Sequence, residues 1–132
     1  MESCPNRGGR EGLHRTLGRI PHIERIIRGC PDRYMITLTT KRRLDEIAMS
    51  AEVAELFHRV NTSLFGTHYS RKKRMMLATV AVQERSINQG LHTHILVGVP
   101  EGSLSLKAHP CLLPVPTLIT TLWTELDERG RR

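Results

Sequence analysis

Aromatic side chains are scarce in this chain: two Phe, two Tyr and one Trp make up 4% of 132 residues. Modules that bind single-stranded nucleic acid by stacking bases on strand aromatics need more, and the strand-like segments offer only Tyr34. Cysteine is nearly as rare. Cys4, Cys30 and Cys111 form no C-x-x-C pair, and their odd number argues against a disulfide framework, so a reducing compartment is expected. No run approaches the roughly 18 apolar residues of a spanning helix, and the N-terminus has no apolar core of signal-peptide length. A cytoplasmic protein without a membrane partner is therefore expected. Acidic residues are outnumbered, thirteen against twenty Lys and Arg, for a net charge of +7 and a pI near 10.0. Such an excess suits a polyanion, although a generic basic surface reads the same way. What the chain does have is 39% hydrophobic residues, enough for one modest core in a single domain of this length.

Met1–Arg33 is rich in Arg and Gly and reads as a basic, mobile arm with a short helix over Pro21–Arg28, able to track a phosphate backbone. The domain proper is expected over 34–132. Tyr34–Thr40 alternates Tyr34, Ile36 and Leu38 with Met35, Thr37 and Thr39, which predicts a strand with one apolar and one hydroxyl-bearing face. A sheet covered by helices on one side and open to ligand on the other would use such a strand. Lys41, Arg42 and Arg43 follow. Ser50 then caps a helix with Val53, Leu56, Phe57, Val60 and Leu64 at helical spacing and Gly66 as its stop.

Arg71, Lys72, Lys73 and Arg74 form the densest positive charge, flanked by His68 and Tyr69. Both basic clusters are candidate phosphate contacts. For the second, a solvated loop guarding an aggregation-prone strand is the bland alternative. Arg74–Glu84 is nearly continuous in apolar character, which predicts a central strand. Prolines 100, 110, 114 and 116 punctuate a loop in which His109 and Cys111 lack partner spacing. A last helix, capped by Thr117, carries Leu118, Ile119, Leu122, Trp123 and Leu126 on one side.

The stretch Glu84–Pro100, ERSINQGLHTHILVGVP, is the most informative. Two strand-like runs flank a polar loop, Arg85–Gly90, and on an extended chain His92 and His94 point the same way. In an antiparallel hairpin that sets Glu84 across from either histidine, the carboxylate joins the imidazoles. Two neutral nitrogens and one oxygen can hold a divalent cation and leave positions open for a phosphate and water. The ordinary alternative is a pair of half-exposed strand histidines. Leu91, Ile95 and Val97 mark the other face as core, but Thr93 between the histidines shows that the His-bearing face is not selected by hydrophobic alternation alone.

These residues carry a resemblance. Ile36, Thr37, Leu38 and Thr39 resemble the first motif of the HUH endonucleases, the catalytic domains of rolling-circle replication initiators of plasmids and filamentous phages. His92, Thr93, His94, Ile95, Leu96 and Val97 resemble the second, with Thr93 in place of the usual apolar middle residue. Glu84, a few residues before Gly90 and the histidine pair, stands where an acidic residue of that family completes the metal site. The resemblance covers about Arg33–Arg132. It implies an α+β fold, a ferredoxin/RRM-like antiparallel sheet with helices on one face. The order strand, helix, strand, strand, helix stops one strand short of a β-α-β-β-α-β unit. An incomplete sheet is therefore expected, whose open edge invites a partner chain or a homodimer.

The resemblance further implies Mg2+ or Mn2+ held by His92, His94 and Glu84, and single-stranded or hairpin DNA at a replication origin as the partner. In intact relatives a tyrosine attacks the scissile phosphate and a 5′-phosphotyrosyl link forms. That third motif, a tyrosine in a helix beyond the histidines, has no match, because Tyr34 and Tyr69 both lie upstream. The nucleophile is assigned to no residue. Tyr34 reads as strand packing, Tyr69 as a loop aromatic that can stack on a base, and no covalent adduct through Tyr69 is expected.

Three other readings compete. A histidine-triad nucleotide hydrolase would need a third histidine where Leu96 stands. A two-histidine phosphoesterase would need a second H-x-T or H-x-S, which is missing. A non-enzymatic RRM-like nucleic-acid binder would also use an open sheet and basic loops, and is the stronger rival; metal dependence separates it from a nickase-like site.

Overall fold

In a computed structural model the structure describes residues 20–69, 76–88, 90–103 and 113–130. The elements are α1 (Ile20–Ile27), β1 (Asp32–Leu38), α2 (Glu46–Phe65), β2 (Ala78–Ser86), β3 (Gly90–Val99) and α3 (Val115–Gly130). The chain is thus α+β, with three strands in one antiparallel sheet of order β1-β3-β2. No helix among the described residues is long and apolar enough to cross a membrane.

Strand periodicity divides the sheet into two faces. On the inner face Ile36, Leu38, Leu91, Ile95, Val97 and Val99 are buried against α2, through Met49, Leu56, Val60 and Leu64, and against α3, through Leu118, Ile119, Trp123 and Leu126. Thr93 shares that face at 1% exposure, and its hydroxyl has no hydrogen-bond partner. The outer face carries Thr37, His92, His94, Leu96 and Gly98.

α2 begins earlier than expected. Asp45, not Ser50, is its cap: the Asp45 side chain accepts from the Ala48 N–H at 2.7 Å, and Glu46 adds a negative charge to the first turn. The apolar periodicity starts only at Met49 and Val53, so it marks the packed part of the helix and misses the solvated first turn. Ser50 lies inside the helix, where its hydroxyl accepts from Gln83 Nε2 at 2.7 Å. Gly66 ends the helix as expected, at φ 91°, its N–H donating to the Thr62 carbonyl. α3 likewise starts at Val115, two residues before Thr117, with Pro116 in its first turn, where a missing N–H costs nothing.

Of the segment 74–84, expected as the central strand, the part that forms β2 is an edge among the described strands: β3 holds the centre and β2 runs along its side. Its apolar character has another cause. α1 packs along β2, and Val82 on the outer face is 8% exposed. Helices therefore lie on both sides of the sheet rather than on one. Where α1 ends, Cys30 is buried on the outer face so closely that a Cβ on Gly98 would sit 2.9 Å from its Cβ and Sγ. Only glycine fits there. Of the segment 1–33 expected as an arm, residues 20–33 form α1, a turn and the start of β1, and the rest lies outside the described residues.

Candidate metal centre

The β2–β3 register sets Glu84 opposite His92, and the β1–β3 register sets Thr37 opposite His94. Directly opposed residues share a face, so all four side chains meet on the outer sheet surface near the hairpin turn. His94 Nε2 lies 3.3 Å from one Glu84 oxygen and His92 Nε2 3.9 Å from the other. The imidazoles meet edge to face with centroids 4.9 Å apart. Exposure is graded across the group: 5% for the His92 side chain, 22% for His94 and 43% for Glu84. The site opens to solvent through its carboxylate.

Each imidazole is oriented from behind. His92 Nδ1 lies 3.3 Å from the Gly90 carbonyl, and His94 Nδ1 lies 3.0 Å from Thr37 Oγ1. A carbonyl only accepts, so His92 carries its proton on Nδ1 and presents the Nε2 lone pair to Glu84. The Thr37 hydroxyl can donate or accept, and it accepts from His94 Nδ1–H in the tautomer that frees Nε2 for a metal. Gly90 supplies its carbonyl from a left-handed conformation, φ 69°, as the chain leaves the turn.

This donor set fits a divalent ion. The three ligand atoms lie within 4.8 Å of one another. Two ligands each about 2.1 Å from one ion are at most about 4.2 Å apart, so small side-chain rotations close the triad. The ion would supply Lewis acidity and leave coordination positions facing solvent.

A cleft of about 730 Å³ lies at the same end of the sheet, lined by Thr40–Asp45 of the β1–α2 loop and by Arg85, Ile87, Asn88, Gly90 and Leu91 of the hairpin. Of the three expected phosphate contacts in that loop, Lys41 and Arg43 are exposed. Arg42 is not: it donates to Asp127 Oδ1 at 3.1 Å, lies 3.5 Å from Glu52 and is 17% exposed. Arg42 anchors the loop to α3, assisted by the Lys41 N–H on Asp127 Oδ2 and by Trp123 Nε1 on the Thr39 carbonyl. Its charge is spent inside the protein. Arg85, on the opposite wall, was not among the sequence candidates because it sits alone and not in a basic run. It pairs with Glu46 at 2.6 Å and holds that carboxyl below the usual glutamate range, chiefly through the hydrogen bond. Arg71, Lys72, Lys73 and Arg74 lie outside the described residues.

Neither tyrosine belongs to this centre. Tyr34 faces the inner side, packed against the core. Tyr69 follows the C-terminus of α2, whose N-terminus is tied to β2 near Glu84 by Gln83 and Arg85. Twenty helical residues rise about 30 Å, so Tyr69 sits at the far end of the molecule. There its hydroxyl lies 3.0 Å from His58 Nδ1, and its ring is partly buried rather than free to stack. Comparison with known family profiles, with characterised proteins and with solved structures gives no match in any of the three.

Proposed function

We propose that the chain binds single-stranded DNA through a divalent-metal centre of the HUH type, in the manner of a rolling-circle replication initiator, without a tyrosine of its own at the centre. The observation that carries this reading is the convergence of Glu84, His92 and His94, oriented by Thr37 and Gly90, on the outer face of the sheet, at the same end as a cleft on its other side walled by Lys41, Arg43 and Arg85. A bound cation and the fixed positive charge at that end of the molecule each suit phosphodiester groups of a nucleic-acid strand. Two imidazoles favour Mn2+ over Mg2+, which prefers an all-oxygen shell. The sheet order β1-β3-β2, with α2 and α3 against one face, agrees with the first five elements of a ferredoxin-like β-α-β-β-α-β unit. Lys41, Arg43 and Arg85 would hold backbone phosphates, and the triad would hold the ion on which a scissile phosphate is polarised. Tyr34 and Tyr69 both lie away from the centre, so neither is placed to form a phosphotyrosyl link there.

The test is calorimetric titration of Mn2+ into the wild type, Glu84→Gln and His94→Ala, each checked for folding by thermal melting. One ion in the wild type and none in the folded variants is expected. Equal binding in all three, or none in the wild type, overturns the centre. A labelled single strand should then bind with Mn2+ and dissociate in chelator. Retention in chelator would favour the non-enzymatic RRM-like reading instead.

A further inference from the structure

The cleft at the hairpin end of the sheet is a site apart from the metal centre. Pairing sets Arg85 opposite Leu91 on one face of the sheet and Glu84 opposite His92 on the other. Arg85 and Leu91 line the cleft, which therefore lies on the α2 side, away from the triad. Its volume of about 730 Å³ falls within the roughly 300–1,000 Å³ of small-ligand sites. Both walls are braced. Arg42 and the Lys41 N–H tie the loop wall to Asp127 of α3, and Thr40 Oγ1 donates to the Arg42 carbonyl at 2.6 Å. Gln83 Nε2 ties the hairpin wall to the Glu46 carbonyl at 2.9 Å, and Arg85 pairs with the Glu46 carboxylate. Charge within the cleft is uneven. Arg42 is neutralised by Asp127 and Glu52, and Asp45 is committed to the α2 cap. Lys41 and Arg43 are exposed, and neither side chain has a hydrogen bond or ion pair among the described residues. Arg85 gives Glu46 one of its five N–H donors. The same lining holds Leu44 and Leu91, which pack on the core, and the amide of Asn88.

We infer that this cleft is a binding site for a free nucleotide that carries a phosphate monoester. A monoester bears about 1.5–2 negative charges at neutral pH, which matches the two uncommitted cations, Lys41 and Arg43. A backbone phosphodiester bears only one. Arg85 adds planar donors suited to phosphate oxygens. The base covers Leu44 and Leu91, and the Asn88 amide, which both donates and accepts, meets its polar edge. Inorganic phosphate would use only the cationic part of this lining. The inference goes beyond the DNA reading and needs neither a strand nor a metal. Backbone phosphates that reach the same cations compete with the nucleotide.

The test is calorimetric titration, in chelator, of adenosine monophosphate, ribose 5-phosphate and inorganic phosphate into the full chain. The wild type is compared with a Lys41→Met, Arg43→Met double variant, whose folding is checked by thermal melting. Both side chains are exposed, and the Lys41 N–H that ties the loop to Asp127 is kept in the variant. The expected result is one adenosine monophosphate per chain, bound about tenfold more tightly than either base-free phosphate and weakened about tenfold or more in the double variant. No binding of the nucleotide by the wild type overturns the site. Equal affinity for the nucleotide and for phosphate overturns it too, since the cations alone would then account for binding. So does an unchanged affinity in the double variant. A 5′-phosphorylated tetranucleotide that binds as tightly as the mononucleotide would make the ligand a strand end and overturns the free nucleotide. Failure of the Mn2+ and strand titrations proposed above sinks the DNA reading alone, because this one contains neither.

Discussion

The two faces of β3 share one backbone and the same two neighbouring strands, yet they answer to different demands. Toward α2 and α3, Leu91, Ile95, Val97 and Val99 are all under 9% exposed and are interchangeable in chemistry if not in shape. Toward the outer side, His92 and His94 are held in chosen orientations by single polar atoms, the Gly90 carbonyl and the Thr37 hydroxyl. The inner face is specified by volume and apolarity, and the outer by the direction of lone pairs. Burial alone does not tell them apart, since His92 is as enclosed as several core residues at 4%. Two threonines make the contrast sharpest: Thr93 buries an unpartnered hydroxyl in the core, and Thr37 uses its own to aim an imidazole.

Four substitutions probe that contrast. Ile95 is wholly buried, so Ile95→Ala should cost about 3 kcal/mol in urea denaturation through lost transfer energy and a cavity, while the folded fraction still binds one Mn2+. Loss of metal binding from the folded fraction would show that the faces are coupled. Thr37→Val removes only the hydroxyl behind His94. Mn2+ affinity should fall about tenfold by calorimetry with little change in melting temperature, the behaviour of an orienting contact. Thr93→Val is the same substitution on the other face and should do the reverse. It relieves a buried unsatisfied hydroxyl, raises stability by about 1 kcal/mol and leaves Mn2+ affinity unchanged.

The smallest effect belongs to Arg85→Met. Glu46 has its carboxyl held low by Arg85, so the stabilisation is present at neutral pH and fades as pH falls through the folded-state value. A small deficit in melting temperature at pH 7 should shrink as pH falls through the carboxylate range and vanish once the carboxyl is protonated in folded and unfolded chains alike. A deficit that persists at low pH would assign Arg85 a packing role instead.

Local pattern made much of this legible. The alternation of Tyr34 to Leu38 gives β1, and the spacing of Leu56, Phe57, Val60 and Leu64 gives α2, because residue-to-residue periodicity follows directly from backbone geometry. The shared face of His92 and His94 has the same origin. Asp45 as cap was missed because the first turn of α2 is solvated and its large apolar residue, Ile47, is exposed and lies off the packed stripe. Arg42 looked like a phosphate contact because its neighbours are basic; only Asp127 and Glu52, 85 and 10 residues away in sequence, reveal its structural use. The edge position of β2 was missed because hydrophobicity reports cover and not hydrogen-bond order, and α1 supplies the cover.

What the sequence determined by itself is therefore periodic and local: which segments are strands and helices, which side of β3 is core, and that two imidazoles project together. Tertiary structure decided the rest. It placed β3 between β1 and β2, brought Glu84 and Thr37 to the histidines from strands on either side, turned Arg42 inward and carried both tyrosines away. The physical reason is that strand pairing joins residues distant in sequence through backbone hydrogen bonds that read no side-chain code, so register and order appear only when the whole core is packed.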